Sequence, residues 1–120
     1  MIEREYVIYE LTSGKKDIAI VCNVENSETL NTFLGSDVRA FEDWIKTDFD
    51  KVLSGESEYE EVNGNVCCAE ISPKTTKVYD NLMDDDEYYS VCCEVDTKEL
   101  CQLIEEWCEK VREFKNENQN

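Results

Sequence analysis

Apolar and polar positions recur along the chain with two different periods, and the switches between them mark out the elements. From Glu3 to Glu10 (EREYVIYE), aromatic and β-branched residues gather at Tyr6–Tyr9, which predicts a first strand. Ser13-Gly14-Lys15-Lys16 supplies turn chemistry. Asp17 to Val24 (DIAIVCNV) predicts a second strand, and its unbroken apolar run suggests a central place in a sheet. The two should form a hairpin. Ser27 then caps a short helical turn through Leu34, which Gly35 interrupts. Ser36 opens a better helix, roughly Asp37 to Ser54, whose apolar positions Val38, Phe41, Trp44, Ile45, Phe49, Val52 and Leu53 follow the 3.6-residue period. Asp37 falls in its first turn, where the helix dipole favours an anion, and Gly55 is placed to end it. Asp48 projects onto the flank of the stripe and is expected at the edge of the buried face, reaching water.

The second half reads as strands and a closing helix. Ser57 to Val62 is a weak strand, followed by the hairpin signal Asn63-Gly64. Asn65 to Ser72 and Thr75 to Leu82 are further strands joined around Pro73-Lys74, Asp84-Asp85-Asp86 is an acidic turn, and Glu87 to Val95 is the last strand. Asp96 and Glu99 have capping-box spacing, with Asp in place of the usual Ser or Thr. Leu100, Leu103, Ile104, Trp107, Val111 and Phe114 then form one apolar stripe, with Cys101 and Cys108 beside it. The order ββ-α-ββββ-α predicts an α+β fold: a mainly antiparallel sheet of about six strands with two amphipathic helices packed on one side. Residues 1–114 should form one domain, and the tail 115–120, which lacks an apolar anchor, should fray.

Charge changes the picture most. The 120 residues carry 29 Asp and Glu against 12 Lys and Arg and no His, a formal net charge of −17. Such a body repels phosphate backbones and anionic lipid, so direct binding to nucleic acid or a membrane surface is disfavoured. A basic protein partner is favoured. The charge also exceeds the magnitude of about 2–8 that suffices for small-domain solubility.

The seven cysteines (Cys22, Cys67, Cys68, Cys92, Cys93, Cys101, Cys108) form no familiar framework. The opening residues show no apolar signal core and no stretch reaches transmembrane length, so a reducing cytoplasm is expected, with the thiols packed as small hydrophobes. Without any His, a Cys–His nucleophile cannot be assembled, and the acidic field raises thiol pKa values. The vicinal pairs Cys67-Cys68 and Cys92-Cys93 place neighbours on opposite faces of a strand, so zinc is not expected. Asp84-Asp85-Asp86-Glu87 lacks the alternation of a calcium loop, and the four glycines make no phosphate cradle. No cofactor, no metal and no catalytic residue are expected.

What remains is clustered acidity. Between Asp37 and Glu61 stand nine acids and three bases, and between Asp80 and Glu99 eight acids and one base. Tyr59 interleaves the first cluster, Tyr88 and Tyr89 the second. Acid with tyrosine is the composition of a surface that grips a basic cleft. The candidate partner-binding residues are Glu42, Asp43, Asp50, Glu56, Glu58, Tyr59, Glu60 and Glu61, with Asp84, Asp85, Asp86, Glu87, Tyr88 and Tyr89.

The segment DDDEYYSVCCEVDTKELCQLIEEW, Asp84–Trp107, pairs a final strand with a capped terminal helix in a small acidic chain. In this it resembles the immunity proteins of bacterial polymorphic toxin and contact-dependent growth inhibition systems. The resemblance covers about the last third of the chain and lacks the parallel βαβ pattern of the barnase inhibitor. It implies a cytosolic protein that neutralises a toxin domain, often a nuclease, by covering its basic cleft. Two other readings stay open. A DNA mimic would space its carboxylates like phosphates along an extended face. A small carboxylate-dependent enzyme would need a pocket holding a carboxyl group of raised pKa.

Overall fold

The computed structural model describes residues 2–81 and 92–117. Its strands are β1 (Glu3–Glu10), β2 (Lys16–Asn23), β3 (Glu60–Asn63), β4 (Cys67–Ile71), β5 (Thr75–Asp80) and β6 (Cys93–Asp96). Its helices are α1 (Ser27–Phe33), continued by a π-helical turn (Leu34–Val38), then α2 (Glu42–Leu53) and α3 (Thr97–Glu117). The fold is α+β and every strand pairing is antiparallel, as the sequence implies.

The six strands divide into two sheets, a β1-β2 hairpin and a four-stranded sheet of order β3-β4-β5-β6. Helices α1 and α3 touch both β2 and the larger sheet, so they lie between the two. The hairpin contributes Ile18, Ile20 and Cys22, the sheet contributes Val62, Ala69, Ile71, Val78 and Cys93, and all of these are buried in one core. Strand β2 is therefore not central. Its residues alternate, with Ile18, Ile20 and Cys22 buried and Val21 46% exposed. Its outer edge meets side chains instead of a third strand: the Cys22 N–H donates to Asn31 Oδ1 at 2.7 Å and Arg39 donates to the Ile18 carbonyl at 3.4 Å.

Helix α3 follows β6 without a loop, and the Glu99 N–H donates to Asp96 Oδ2 at 2.9 Å, fixing the helix start as expected. The whole anticipated stripe is buried, and Cys101 and Cys108 are buried with it. Helix continues through Lys115 to Glu117. Trp107 sits at the junction of the layers. Its ring stacks on Tyr6 with centroids 6.1 Å apart, and its Nε1–H donates to the Leu34 carbonyl at 2.6 Å. Tyr6 and Arg4 in turn donate to the Glu106 carboxylate, pinning the hairpin to α3. Those bonds, the one from Tyr6 foremost, hold the Glu106 carboxyl below its ordinary range, while burial pushes Tyr6 up to about 12.

The segment between β2 and α2 departs from expectation. Gly35 does not interrupt a helix, because the chain passes through it as a π-helical turn continuous with α1. The break comes later, at Phe41, whose φ of −127° and ψ of 36° are not helical. Gly55 does end α2, at a φ of 87° that favours glycine. Asp37 is not a solvated first-turn anion. It is 1% exposed, and its carboxylate accepts the backbone N–H groups of Asn65 (2.8 Å), Val66 (3.3 Å) and Cys67 (2.7 Å). The hairpin turn falls two residues later than the expected Asn63-Gly64: Asn63 pairs with Cys68, and the Gly64 N–H donates to the Cys67 carbonyl at 2.9 Å, leaving Asn65 and Val66 at the tip. Glycine is required at position 64 because a Cβ would collide with the Asp37 carboxyl group.

Candidate functional site

Among the described residues eight large apolar side chains are exposed, and they fall in two stretches of the chain. Val7, Ile8, Tyr9, Leu11 and Val21 belong to the hairpin, whereas Trp44, Leu53 and Tyr59 stand among the acids of α2, β3 and the loop between them. The second group coincides with the first acidic cluster.

On α2, Asp43, Thr47 and Asp50 follow the i, i+4, i+7 spacing of one helical face, and all three are exposed. Trp44 flanks that face, 45% exposed, with its ring edge-on to Phe41 at a centroid distance of 5.6 Å. The sequence placed Trp44 and Leu53 in the core, but both are exposed. Helical phase is the reason: Val38, Ile45, Phe49 and Val52 keep one buried stripe across Phe41, and Trp44 and Leu53 fall on opposite flanks of it. After the helix, the Ser57 N–H donates to the Lys51 carbonyl at 2.9 Å and folds the loop back, leaving Glu56, Glu58 and Tyr59 exposed.

Strand β3 is an edge strand, and it divides the remaining acids between two faces. Glu60 shares the side of buried Val62, is half-buried, and accepts from Ser57 Oγ at 3.2 Å. Glu61 points the other way and pairs across the strands with Glu70, from which Lys77 and Glu94 continue the row over the sheet. The described candidates thus fall on α2 (Glu42, Asp43, Asp50), on the loop after it (Glu56, Glu58, Tyr59) and on β3, with Glu60 on the side of Val62 and Glu61 on the outer sheet face. Glu42 differs from the rest. It is half-buried and held by Arg112 at 3.0 Å and Lys46 at 3.7 Å. The candidates Asp84, Asp85, Asp86, Glu87, Tyr88 and Tyr89 lie outside the described residues.

Two features of this edge cost stability. Asp48, expected to reach water, is 8% exposed, and burial, with Glu60 nearby, raises its carboxyl pKa against the pull of Lys51 and a hydrogen bond from Trp44. Glu61 and Glu70 are directly opposed like charges, which destabilise a strand pair. Sequence reasoning missed Asp48 because helical phase alone cannot show that Glu60 and Trp44 close over it. It missed Glu70 because register is not legible from spacing. A raised folded pKa means that the ionised form of Asp48 is penalised above that pKa and relieved as pH falls through it. Asp48→Asn is therefore expected to raise stability at neutral pH, within the roughly 0.5–2 kcal/mol typical of single stabilising changes. In urea melts across a pH series, the gain should shrink towards acid. A gain independent of pH would contradict the assignment.

Cys67 and Cys68 point to opposite faces, and six of the seven cysteines are buried. Burial first, then neighbouring acids, pushes Cys67 up to about 12. Cys108 reaches about 12 through burial and the Glu42 carboxylate. No group of three His, Cys, Asp or Glu among the described residues is arranged to hold a metal. Among those residues no helix is long and apolar enough to cross a membrane.

A protein of Bacillus cereus named "Immunity protein" is 42% identical to this chain over 110 residues, covering 92% of this chain and 90% of its own length. The chain belongs to the immunity proteins. The alignment covers far more of the chain than the terminal strand and helix on which the resemblance in sequence first rests. No family model and no solved structure matches this immunity protein.

Proposed function

We propose that this immunity protein neutralises a bacterial toxin domain by binding, not by catalysis, and that it covers the toxin's basic surface with the acidic edge formed by α2, β3 and their connecting loop. The toxin class most in keeping with a ligand of this charge is a nuclease, whose cleft is built to hold phosphates. One observation carries the reading: along residues 43–61, exposed Trp44, Leu53 and Tyr59 alternate with exposed Asp43, Asp50, Glu56, Glu58 and Glu61. Aromatic anchors ringed by charge are the composition of a binding hot spot. The buried Asp48 and the opposed Glu61 and Glu70 support it further, because a cationic partner would relieve both penalties.

The triple variant Asp43→Lys, Asp50→Lys, Glu58→Lys should bind the cognate toxin domain about 100-fold more weakly or worse, on the scale of a few kcal/mol for close charge pairs across an interface. Trp44→Ala and Tyr59→Ala should each weaken it by about 10-fold, as expected for truncated hot-spot side chains. Calorimetric titration, and survival of cells producing the toxin, are the readouts. Native-like affinity and protection from the triple variant would remove the acidic edge from the interface.

A further inference from the structure

Among the described residues, the remaining exposed large apolar side chains are all on the hairpin, and the hairpin is electrically unlike the rest of the chain. Residues 2–23 carry four acids (Glu3, Glu5, Glu10, Asp17) and three bases (Arg4, Lys15, Lys16), so this part is nearly neutral within a chain of net charge −17. It is the surface least suited to a basic toxin. The outer edge of β1 is open, since no described strand other than β2 pairs with it. An open eight-residue edge bearing Val7, Ile8 and Tyr9 invites strand addition.

We propose that β1 pairs antiparallel with β1 of a second copy of this chain, joining two hairpins into a four-stranded sheet. The register follows from the backbone. Because the Cys22 N–H is given to Asn31, the Arg4–Cys22 pair is not hydrogen-bonded within the hairpin. By alternation, the backbone groups of Arg4, Tyr6, Ile8 and Glu10 point away from β2. A two-fold axis at Val7 joins all four of these residues to the second copy. It sets Arg4 opposite Glu10 of the second copy, Tyr6 opposite Ile8, and Val7 opposite itself. No like charges face one another in this register. A two-fold axis at Glu5 would oppose the two Glu5 carboxylates, and axes at Tyr6 or Ile8 would join only three of the four residues to one another. Ile8, 59% exposed in the single chain, gains a cross-strand neighbour. The strongly acidic remainder of each copy lies off the hairpin, and repulsion between exposed charges is screened beyond about 8 Å at physiological salt.

The test is sedimentation velocity on the full native chain over a wide concentration range, beside Ile8→Lys, Glu10→Arg, Val7→Cys and Tyr9→Cys. The native chain should sediment as a dimer that dissociates on dilution. Ile8→Lys and Glu10→Arg should each raise the dimer dissociation constant at least 10-fold. Residues at the axis form a non-hydrogen-bonded pair with Cα atoms about 4.5 Å apart, within disulfide reach. Mild oxidation should therefore link Val7→Cys into a covalent dimer and leave Tyr9→Cys and the native chain unlinked. A native chain monomeric at every concentration, an undiminished dimer in Ile8→Lys, or equal linking of both cysteine variants would overturn the proposal. So would a monomeric native chain whose affinity for toxin falls on Ile8→Lys, which would assign the edge to the toxin.

Discussion

Trp107→Ala is expected to cost about 3–5 kcal/mol, the usual range for deleting a large buried aromatic. Against a total stability of about 5–15 kcal/mol, this is enough to leave much of the protein unfolded. The indole is fully buried and joins the hairpin to the helical layer. It stacks on Tyr6 of the hairpin, lies under the Arg39 guanidinium at 5.9 Å, and gives its N–H to the Leu34 carbonyl of the π-helical turn. Alanine leaves a cavity and strips that carbonyl of its donor. Trp107→Phe keeps the ring contact and loses mainly the hydrogen bond, so its cost should be about 1–3 kcal/mol. Urea denaturation of both variants separates the two contributions. A loss below about 1 kcal/mol for Trp107→Ala would mean that the layers close without the indole.

Asp37→Ala is the second large effect. It removes the acceptor for three consecutive backbone N–H groups, at Asn65, Val66 and Cys67. Leaving a buried donor unsatisfied costs about 1–3 kcal/mol. Water can reach exposed Asn65, so the expected total is about 3 kcal/mol. Asp37→Asn keeps one accepting oxygen but turns an amide NH2 towards donors, and should fall between native and alanine. Hydrogen exchange at residues 65–67 should accelerate more than elsewhere in the four-stranded sheet. Uniform acceleration across that sheet would show that the loop is not specifically held by Asp37.

Local chemistry was the legible part. Strand β1 reads directly from its aromatic and β-branched run, and α3 reads from a capping pair and one wide stripe, because both signals are local. The acidic edge was legible as composition, since Asp43 to Glu61 lie close in sequence and the loop after α2 keeps them close in space. Three things were not legible. The division into two sheets depends on Asn31 and Arg39 occupying the outer edge of β2, a contact between distant positions that alternation does not encode. The burial of Asp48 brings it close to Glu60 of β3, a contact between elements that helical phase does not encode. The role of Asp37 is a tertiary bond spanning about thirty residues, whereas its sequence neighbourhood suggests only a helix start.

The central claim is that negative charge on the α2–β3 edge draws in and holds a basic toxin domain. The most direct measurement is the association rate of the native chain with that domain across a salt series, run beside the Asp43→Lys, Asp50→Lys, Glu58→Lys variant. The native rate should fall steeply as salt rises, and the variant should start slower with a much flatter dependence. Identical rates and identical salt slopes for the two proteins would contradict the account.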